Sequence, residues 1–301
     1  MKFTLAAAAV YMVATVTALP ITKEVEALTG SIGTLYSADL TRNIFVKGIH
    51  SHNDYWRDIP LYTALSYGVV SVEADVFLYN GKLHVGHKEG ALNDERMFDS
   101  LYINPLVEIL TAANPQNAYT QNVTTPSGVF DTNGEQTLYL FVDLKTDGNE
   151  TWPYVIEALE PLRRNNWLTK FNGTDVITGP VTVVGTGNTP YDFVSSQKTR
   201  DYFFDSPVAS LNSSYPATLG PIASGSFRSI FGEIVPSGLN DTQLSKLQDI
   251  VDTAHSMGIL TRFWDVPWWP VNLQNTLWRQ IIASGSDLLN ADDLELASGF
   301  A

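Results

Sequence analysis

The sequence contains no cysteine among its 301 residues. Disulfides, thiolate zinc sites, cysteine nucleophiles and thiol redox chemistry are therefore excluded, and the fold must be stabilised by its core. Clusters of lysine and arginine are also missing, and the formal net charge is −14. Because contact with a nucleic-acid backbone needs such basic clusters, we expect no nucleic-acid partner.

Several familiar catalytic motifs are absent as well. The sequence has no Gly-x-Ser-x-Gly elbow of a serine hydrolase and no phosphate-binding P-loop. It has neither a His-Glu-x-x-His helix nor three histidines in a zinc-binding pattern. Beyond the N-terminus, no apolar run is long enough to cross a membrane. The composition, with 44% hydrophobic and 17% charged residues, predicts a folded chain with a sizeable core.

The N-terminus has the pattern of a secretory signal peptide. Lys2 supplies the positive charge, residues 3–16 form the apolar region, and small residues precede a cleavage site after Ala18. A membrane anchor is the alternative, but the run is shorter than the roughly 20 residues that span a bilayer, and Pro20 follows it. We expect a secreted, extracellular protein with a signal peptide at 1–18, a lead segment at 19–40 and the folded domain at 41–301.

Asn-x-Ser/Thr sites agree with export. Five occur in the chain, and each predicts an N-glycosylated surface loop. Their asparagines are Asn122, Asn149, Asn172, Asn212 and Asn240.

Short apolar runs alternate with helical patterns along the rest of the chain. We predict strands at 45–49, 69–78, 82–85, 138–144, 181–185, 201–204, 230–234, 259–264 and 287–291. We predict helices at 59–67, 105–113, 152–164, 241–257 and 273–283, with Asp241 as the cap of the fourth, and a long surface loop at 116–134. This alternation predicts a parallel α/β sheet with crossover helices. An open doubly wound sheet is the alternative. However, no glycine-rich loop follows the first strand, and the number of strand–helix units approaches eight. Both observations favour a single-domain (β/α)8 TIM barrel.

Two carboxylates share one face of the predicted strand at 69–78. Glu73 and Asp75 alternate with Val72, Ala74 and Val76, so the acidic side chains point together into the barrel and the apolar ones face the helices. Two ionised carboxylates at such a short distance repel each other, and a bound cation relieves this repulsion. The alternatives are an exposed edge strand or a carboxylate pair bridged by an arginine.

The strand at 138–144 ends in a second polar cluster. Asp143 and Lys145 lie on one side at its carboxyl end, where barrel enzymes carry their catalytic residues. Asp143 is a candidate third oxygen ligand and Lys145 a candidate phosphate contact, with a structural ion pair as the alternative. Carboxylate oxygens favour a hard cation, Mg²⁺ or Ca²⁺, over zinc.

Histidines complete the set of reactive side chains. His50 and His52 close the first strand, and His84 and His87 lie on or after the strand at 82–85. Two histidines beside a hard cation suggest phosphoryl transfer with one proton acceptor and one proton donor. His255 falls within a helical pattern and is predicted to be a packing or surface residue.

Taken together, these residues resemble the glycerophosphodiester phosphodiesterase-like superfamily, which includes the sphingomyelinase D enzymes. The resemblance is carried by His52, by Glu73 with Asp75, by His87, and by Asp143 with Lys145. It is narrower for the fungal "altered inheritance of mitochondria protein 6" family, which is similar at 52–55, 60–61, 64–65, 71–76, 85–87, 101–106 and 179–184. The segment 290–297 resembles the last-strand motif of glycerophosphodiesterases.

The resemblance implies a TIM barrel and a divalent metal held by Glu73, Asp75 and Asp143. It selects His52 over His50 as the first catalytic histidine and pairs it with His87. His50 is then expected to lie behind the site. The matching chemistry is cleavage of glycerophosphodiesters or phospholipid head groups, by hydrolysis or by formation of a cyclic phosphate.

This sequence departs from the superfamily at two positions. Asn53 replaces an arginine that usually contacts phosphate, and we expect Asn53 to contact substrate in its place. Lys88 replaces an aspartate that usually follows the second histidine.

Aromatic residues follow the predicted strand at 259–264. Arg262 and Trp264 could line the barrel mouth and contact a head group or acyl chain, with core packing as the alternative for Trp264. Trp268 and Trp269 are expected in a loop, where they would allow transient contact with a membrane surface. We expect a monomer.

Two other functions fit part of this pattern. A TIM-barrel glycoside hydrolase also uses paired carboxylates and tryptophans, although its carboxylates lie on different strands across the sugar. A catalytically inactive secreted binding protein is the second alternative.

Overall fold

The computed structural model of the protein describes residues 40–300, and the predicted signal peptide lies outside them. Twelve strands are present in this part of the chain. They are β1 Lys47–Ser51, β2 Val69–Tyr79, β3 Lys82–Val85, β4 Leu138–Leu144, β5 Lys170–Phe171, β6 Val176–Ile177, β7 Val181–Gly187, β8 Phe203–Phe204, β9 Ser206–Pro207, β10 Ile222–Ser226, β11 Leu260–Trp264 and β12 Leu288–Ala291.

Nine α-helices occur in the same range. They are α1 Tyr62–Ser66, α2 Asn104–Ala113, α3 Gly148–Ala158, α4 Glu160–Arg164, α5 Tyr191–Ser196, α6 Phe227–Phe231, α7 Asp241–Ser256, α8 Val271–Ala283 and α9 Leu294–Ser298. Short 3-10 turns lie at Asp54–Trp56, Glu89–Ala91 and Val208–Ser210, and a π turn at Asp99–Ile103 precedes α2. No helix in the described range is long and apolar enough to cross a membrane.

The main sheet closes on itself as a parallel barrel. Its strands are hydrogen-bonded in the order β8-β7-β4-β2-β1-β12-β11-β10-β9. The two ends of this path, β8 and β9, flank the single residue Asp205, whose backbone N–H donates to the carbonyl of Gly185 on β7 at 2.9 Å. They therefore act as one strand between β7 and β10, which gives eight barrel positions and confirms the (β/α)8 prediction.

Strand β2 shows why the sequence adopts this architecture. Its residues Val72, Ala74 and Val76 are completely buried between the sheet and the helices. The alternate residues point to the inside, as the period of two requires. A tight turn at Asn80 and Gly81, both with positive φ, then reverses the chain into β3, which pairs antiparallel with β2.

Three local predictions are wrong. Residues 230–234 are not a strand, because Phe227, Ile230 and Phe231 have helical spacing and form α6; the strand at this position is β10. The predicted helix at 152–164 is two helices, and the second has Pro161 in its first turn.

The cap of α7 also differs from the prediction. It is Asn240 and not Asp241: its side chain accepts the backbone N–H of Gln243, and the Gln243 side chain accepts the backbone N–H of Asn240.

Candidate active site

Three carboxylates meet at the carboxyl ends of two neighbouring barrel strands. Glu73 and Asp75 lie on β2, and Asp143 on β4 is the direct register partner of Asp75. One oxygen from each carboxylate lies within 4.8 Å of the others. The Oδ1 atom of Asp75 is buried and has no hydrogen-bond partner among the described residues. This set of oxygens fits a hard divalent cation.

Lys145 neutralises part of this charge. Its Nζ lies 2.7 Å from Asp143 Oδ2 and 3.1 Å from Asp75 Oδ2. The pKa of Asp75 is nevertheless raised to about 7, first by burial and then by the charge of Glu73. The site therefore disfavours the ionised form of Asp75, and additional positive charge nearby would relieve this cost.

Arg262 compensates Glu73 from inside the barrel. The guanidinium is 3% exposed, with Nη1 at 3.6 Å from Glu73 Oε1 and Nη2 at 3.8 Å from Asp205 Oδ2. Its plane packs on the ring of Phe141, 4.5 Å from the centroid. The prediction that Arg262 lines the mouth is therefore wrong. An arginine does pair with Glu73, but it does not bridge Glu73 to Asp75.

His50 lies beneath this layer and is completely buried. Its Nδ1 bonds to Ser71 Oγ at 2.7 Å, and its Nε2 contacts the Arg262 guanidinium. Burial and the adjacent Arg262 charge lower the pKa of His50 to about 3, so the ring is neutral. Burial alone would raise the pKa of Glu73, but the neighbouring His50 and the Arg262 charge hold it well below its usual range.

His52 lies one layer nearer to the mouth. Its Nδ1 is 2.9 Å from Asp292 Oδ1, and its Nε2 is 3.7 Å from Glu73 Oε2. Burial by itself would lower the pKa of His52, but the hydrogen bond to Asp292 and the charges of Glu73 and Asp292 outweigh it and raise the pKa. Asp292 was not singled out from the sequence, although it lies in the 290–297 segment.

His87 lies in the loop after β3, beside Tyr55 and Asp75. Its Nδ1 lies 3.1 Å from the Tyr55 hydroxyl and 3.5 Å from Asp75 Oδ2. The indole ring of Trp56 packs against it, with ring centroids 4.9 Å apart. Burial, followed by the charges of Lys145 and Lys88, lowers the pKa of His87.

Asn53 directly follows His52 in the segment after β1. It is buried and has positive φ, a conformation that asparagine tolerates better than most residues. Its backbone N–H donates to Glu73 Oε2 at 3.1 Å, and its side chain contacts Tyr55. Asn53 thus contacts a proposed metal ligand, the proposed catalytic His52 and Tyr55.

The tryptophans after β11 are exposed. Trp264 is 41% exposed, so core packing is excluded for it, and Trp268 and Trp269 are 69% and 67% exposed.

The two remaining histidines lie outside the candidate site. His84 on β3 contacts the carbonyl of Asn93, and His255 on α7 pairs with Asp287.

Known proteins similar to this chain include a phosphodiesterase-like domain family and its fungal members. The family model described as "AIM6-like phosphodiesterase domain" matches residues 38–205. The "altered inheritance of mitochondria protein 6 homolog" of Arthroderma benhamiae is 46% identical over 275 residues, which cover 88% of this chain and 87% of that protein. "Altered inheritance of mitochondria protein 6" of Saccharomyces cerevisiae is 36% identical over 288 residues, which cover 87% of this chain and 72% of that protein.

Two solved structures are also similar. The phosphatidylinositol-specific phospholipase C from Listeria monocytogenes has a TM-score of 0.41 at 12% identity, covering 89% of this chain and 95% of that chain. A glycerophosphodiester phosphodiesterase from Parabacteroides distasonis has a TM-score of 0.46 at 11% identity, covering 85% and 98%.

Proposed function

This chain belongs to the AIM6-like phosphodiesterase family, and we propose that it is a metal-dependent phosphoric diester hydrolase with histidine acid–base catalysis. The observation that carries the proposal is the meeting of three carboxylates, one lysine and two histidines at the mouth of one barrel. Carboxylate oxygens hold hard cations, and the histidines lie beside them with access to the mouth.

The residues that would hold Mg²⁺ or Ca²⁺ are Glu73, Asp75 and Asp143. When bound, the cation supplies positive charge that stabilises the negative charge building on the phosphoryl oxygens. Lys145 contributes a second positive charge at the same place, since its Nζ already lies between two of the carboxylates.

His52 and His87 would move the protons. Each ring is held through Nδ1, His52 by Asp292 and His87 by Tyr55. The Nε2 atom of each ring would then act on the substrate, and that of His52 lies beside the proposed metal ligand Glu73. One histidine removes the proton of the nucleophile and the other protonates the departing alkoxide. Attack by water gives a phosphomonoester, and attack by a hydroxyl of the substrate itself gives a cyclic phosphate.

The proposed substrates are glycerophosphodiesters or the head groups of phospholipids. The exposed indoles of Trp264, Trp268 and Trp269 support transient contact with a lipid surface, because tryptophan combines an apolar ring with a polar N–H.

The proposal is tested by incubating the purified protein with glycerophosphodiesters and lysophospholipids in Mg²⁺ or Ca²⁺. Phosphorus NMR detects turnover and separates a phosphomonoester from a cyclic phosphate. We expect EDTA to abolish turnover, whereas a typical glycoside hydrolase needs no such metal. His52→Ala and His87→Ala should each lower kcat at least about 100-fold. His255→Ala, a matched change far along the chain on α7, should not. Near wild-type activity in both site variants would refute the assignment.

We further propose that the protein is exported and glycosylated. The five asparagines of the Asn-x-Ser/Thr sites are all exposed, which supports this proposal. Expression in a eukaryotic secretion host, followed by mass measurement before and after an N-glycosidase, tests it. A protein retained in the cells without glycan would contradict it.

A further inference from the structure

The hydroxyl of Tyr55 joins three side chains of the candidate site. Its oxygen lies 2.5 Å from Asn53 Oδ1, 2.7 Å from Asp75 Oδ2 and 3.1 Å from His87 Nδ1. The side chain is buried, with 2% of its surface exposed. This tyrosine lies in the segment 52–55 that resembles the family, and it contacts both a proposed metal ligand and a proposed catalytic histidine.

Counting hydrogens determines the tautomer of His87. A tyrosine hydroxyl has one hydrogen, and two oxygen acceptors, from Asn53 and Asp75, compete for it. The hydroxyl therefore faces His87 Nδ1 with a lone pair, whichever oxygen takes the hydrogen. His87 Nδ1 must then carry its own hydrogen and donate it to Tyr55. The carboxylate of Asp75, 3.5 Å from the same nitrogen, favours the same arrangement.

We propose that Tyr55 is a positioning residue that holds the neutral ring of His87 in its Nδ1–H tautomer and leaves Nε2 as the proton-accepting atom at the barrel mouth. The consequence for catalysis rests on the function proposed above. The tautomer itself does not, because it follows from the hydrogen-bond geometry alone. A histidine acts on its substrate through one nitrogen only when the other is fixed by a hydrogen bond.

The surroundings of Tyr55 hold it in place for this role. The residue lies in the 3-10 turn Asp54–Trp56, and the guanidinium of Arg96 donates to its backbone carbonyl. The next residue, Trp56, packs its indole against the His87 ring. One turn of chain therefore fixes His87 twice, by a hydrogen bond at Nδ1 and by ring contact at the side.

The tautomer can be measured without any substrate. Histidine labelled with ¹⁵N reports which ring nitrogen carries the hydrogen, and His87→Gln identifies the His87 signals. At a pH where the ring is neutral, with Mg²⁺ in excess, we expect wild-type His87 to be mainly Nδ1–H. A mainly Nε2–H ring in the wild type would overturn the proposal, and this measurement does not depend on whether Tyr55→Phe folds.

Tyr55→Phe removes the hydroxyl and keeps the ring. We expect the His87 signals to move towards the Nε2–H form, which histidine prefers in water. The matched control is Tyr62→Phe, because the Tyr62 hydroxyl is also buried but has no hydrogen-bond partner among the described residues. Unchanged His87 signals in Tyr55→Phe would overturn the proposal.

Kinetics separate this proposal from the proposed function. Because Tyr55 acts through His87 and Asp75, Tyr55→Phe should lower kcat about 10- to 100-fold and leave KM nearly unchanged. Tyr62→Phe should change neither. If no phosphodiester is turned over and the tautomer is still Nδ1–H, the proposed function fails and the positioning role stands. If turnover is found and Tyr55→Phe keeps wild-type kcat, the positioning role fails and the proposed function stands.

Discussion

Removing one carboxylate from the acidic cluster should abolish the stabilisation by a divalent cation and should raise the stability of the cation-free protein. Asp75→Asn is the informative change, because Asp75 lies between Glu73 and Asp143 and has an unpartnered buried oxygen. A ligand that binds only the folded state stabilises it by about 2.7 kcal/mol at a concentration 100 times its dissociation constant. For a barrel of this size that corresponds to a rise in Tm of about 5–10 °C. Wild-type protein should show this rise with Mg²⁺ or Ca²⁺, and the variant should show little of it.

Without the cation, the charge of Asp75 itself lowers the stability of the wild-type protein. The pKa of Asp75 is raised from 3.8 to about 7 by burial and by Glu73. The folded state therefore binds the proton more tightly than the unfolded state, and stability falls as pH rises from about 4 to 7. At pH 8 in EDTA this ionisation costs as much as about 4 kcal/mol, which Asp75→Asn removes. We expect the variant to be the more stable protein under these conditions.

The assay is urea unfolding followed by tryptophan fluorescence, at constant ionic strength, in EDTA and in excess Mg²⁺ or Ca²⁺. Asp249→Asn, on the exposed side of α7, controls for loss of one negative charge. Equal stabilisation of wild type and Asp75→Asn by the cations would refute the assigned ligand set. A variant less stable than wild type in EDTA at pH 8 would refute the reasoning about charge.

Three further changes test the structure around the cluster. Gly187→Ala should lose the stabilisation by Mg²⁺, because Gly187 has positive φ and an added Cβ would overlap Asp143 Oδ1. Arg262→Met should lower the free energy of unfolding by about 3–5 kcal/mol, because it leaves the buried carboxylates of Glu73 and Asp205 without their cation. Asp205→Asn should gain up to about 3 kcal/mol relative to wild type between pH 4 and pH 7, because burial raises the pKa of Asp205 from 3.8 to about 6 and wild type loses that stability as the group ionises.

Urea unfolding measures all three, and each has a control. Gly258 also has positive φ but has room for a Cβ, so Gly258→Ala should keep the Mg²⁺ effect. Arg164→Met, at an exposed position, should change stability by less than about 0.5 kcal/mol. Parallel pH courses for wild type and Asp205→Asn would contradict the third prediction.

The long buried strands could be predicted from the sequence. Strands β3 and β4 begin and end at the predicted residues, since hydrophobic runs there are bounded by turn residues or by charge. Strand β10 could not be predicted, because the residues of Ile222–Ser226 are mostly small or polar. They form a strand through their pairing with β9 and β11. The neighbouring strands, and not its own residues, determine that this segment is a strand.

The residues that support the candidate site were harder to predict from the sequence than its carboxylates. Asp292 follows the last strand and meets His52 across 240 positions of the chain, a contact that no local pattern encodes. Tyr55 lies close in sequence to His52 but acts on Asp75 and His87, which only the barrel brings near it. By contrast, acidic residues inside apolar strands are unusual enough to be recognised, which is why the three carboxylates were predicted.

Depth along the barrel explains the remaining error. Alternation shows which side chains face the interior, but two residues on the same face are separated by about 7 Å along the strand. His50 on β1 and His52, which directly follows the last residue of β1, form such a pair, and Arg262 and Trp264 form another on β11. In each pair the first residue is buried within the barrel and the second reaches the mouth. A charged residue one layer deeper in the barrel neutralises the charge of the site and does not contact the substrate. The depth of a polar residue along its strand therefore decides whether it supports the catalytic residues or takes part in the reaction.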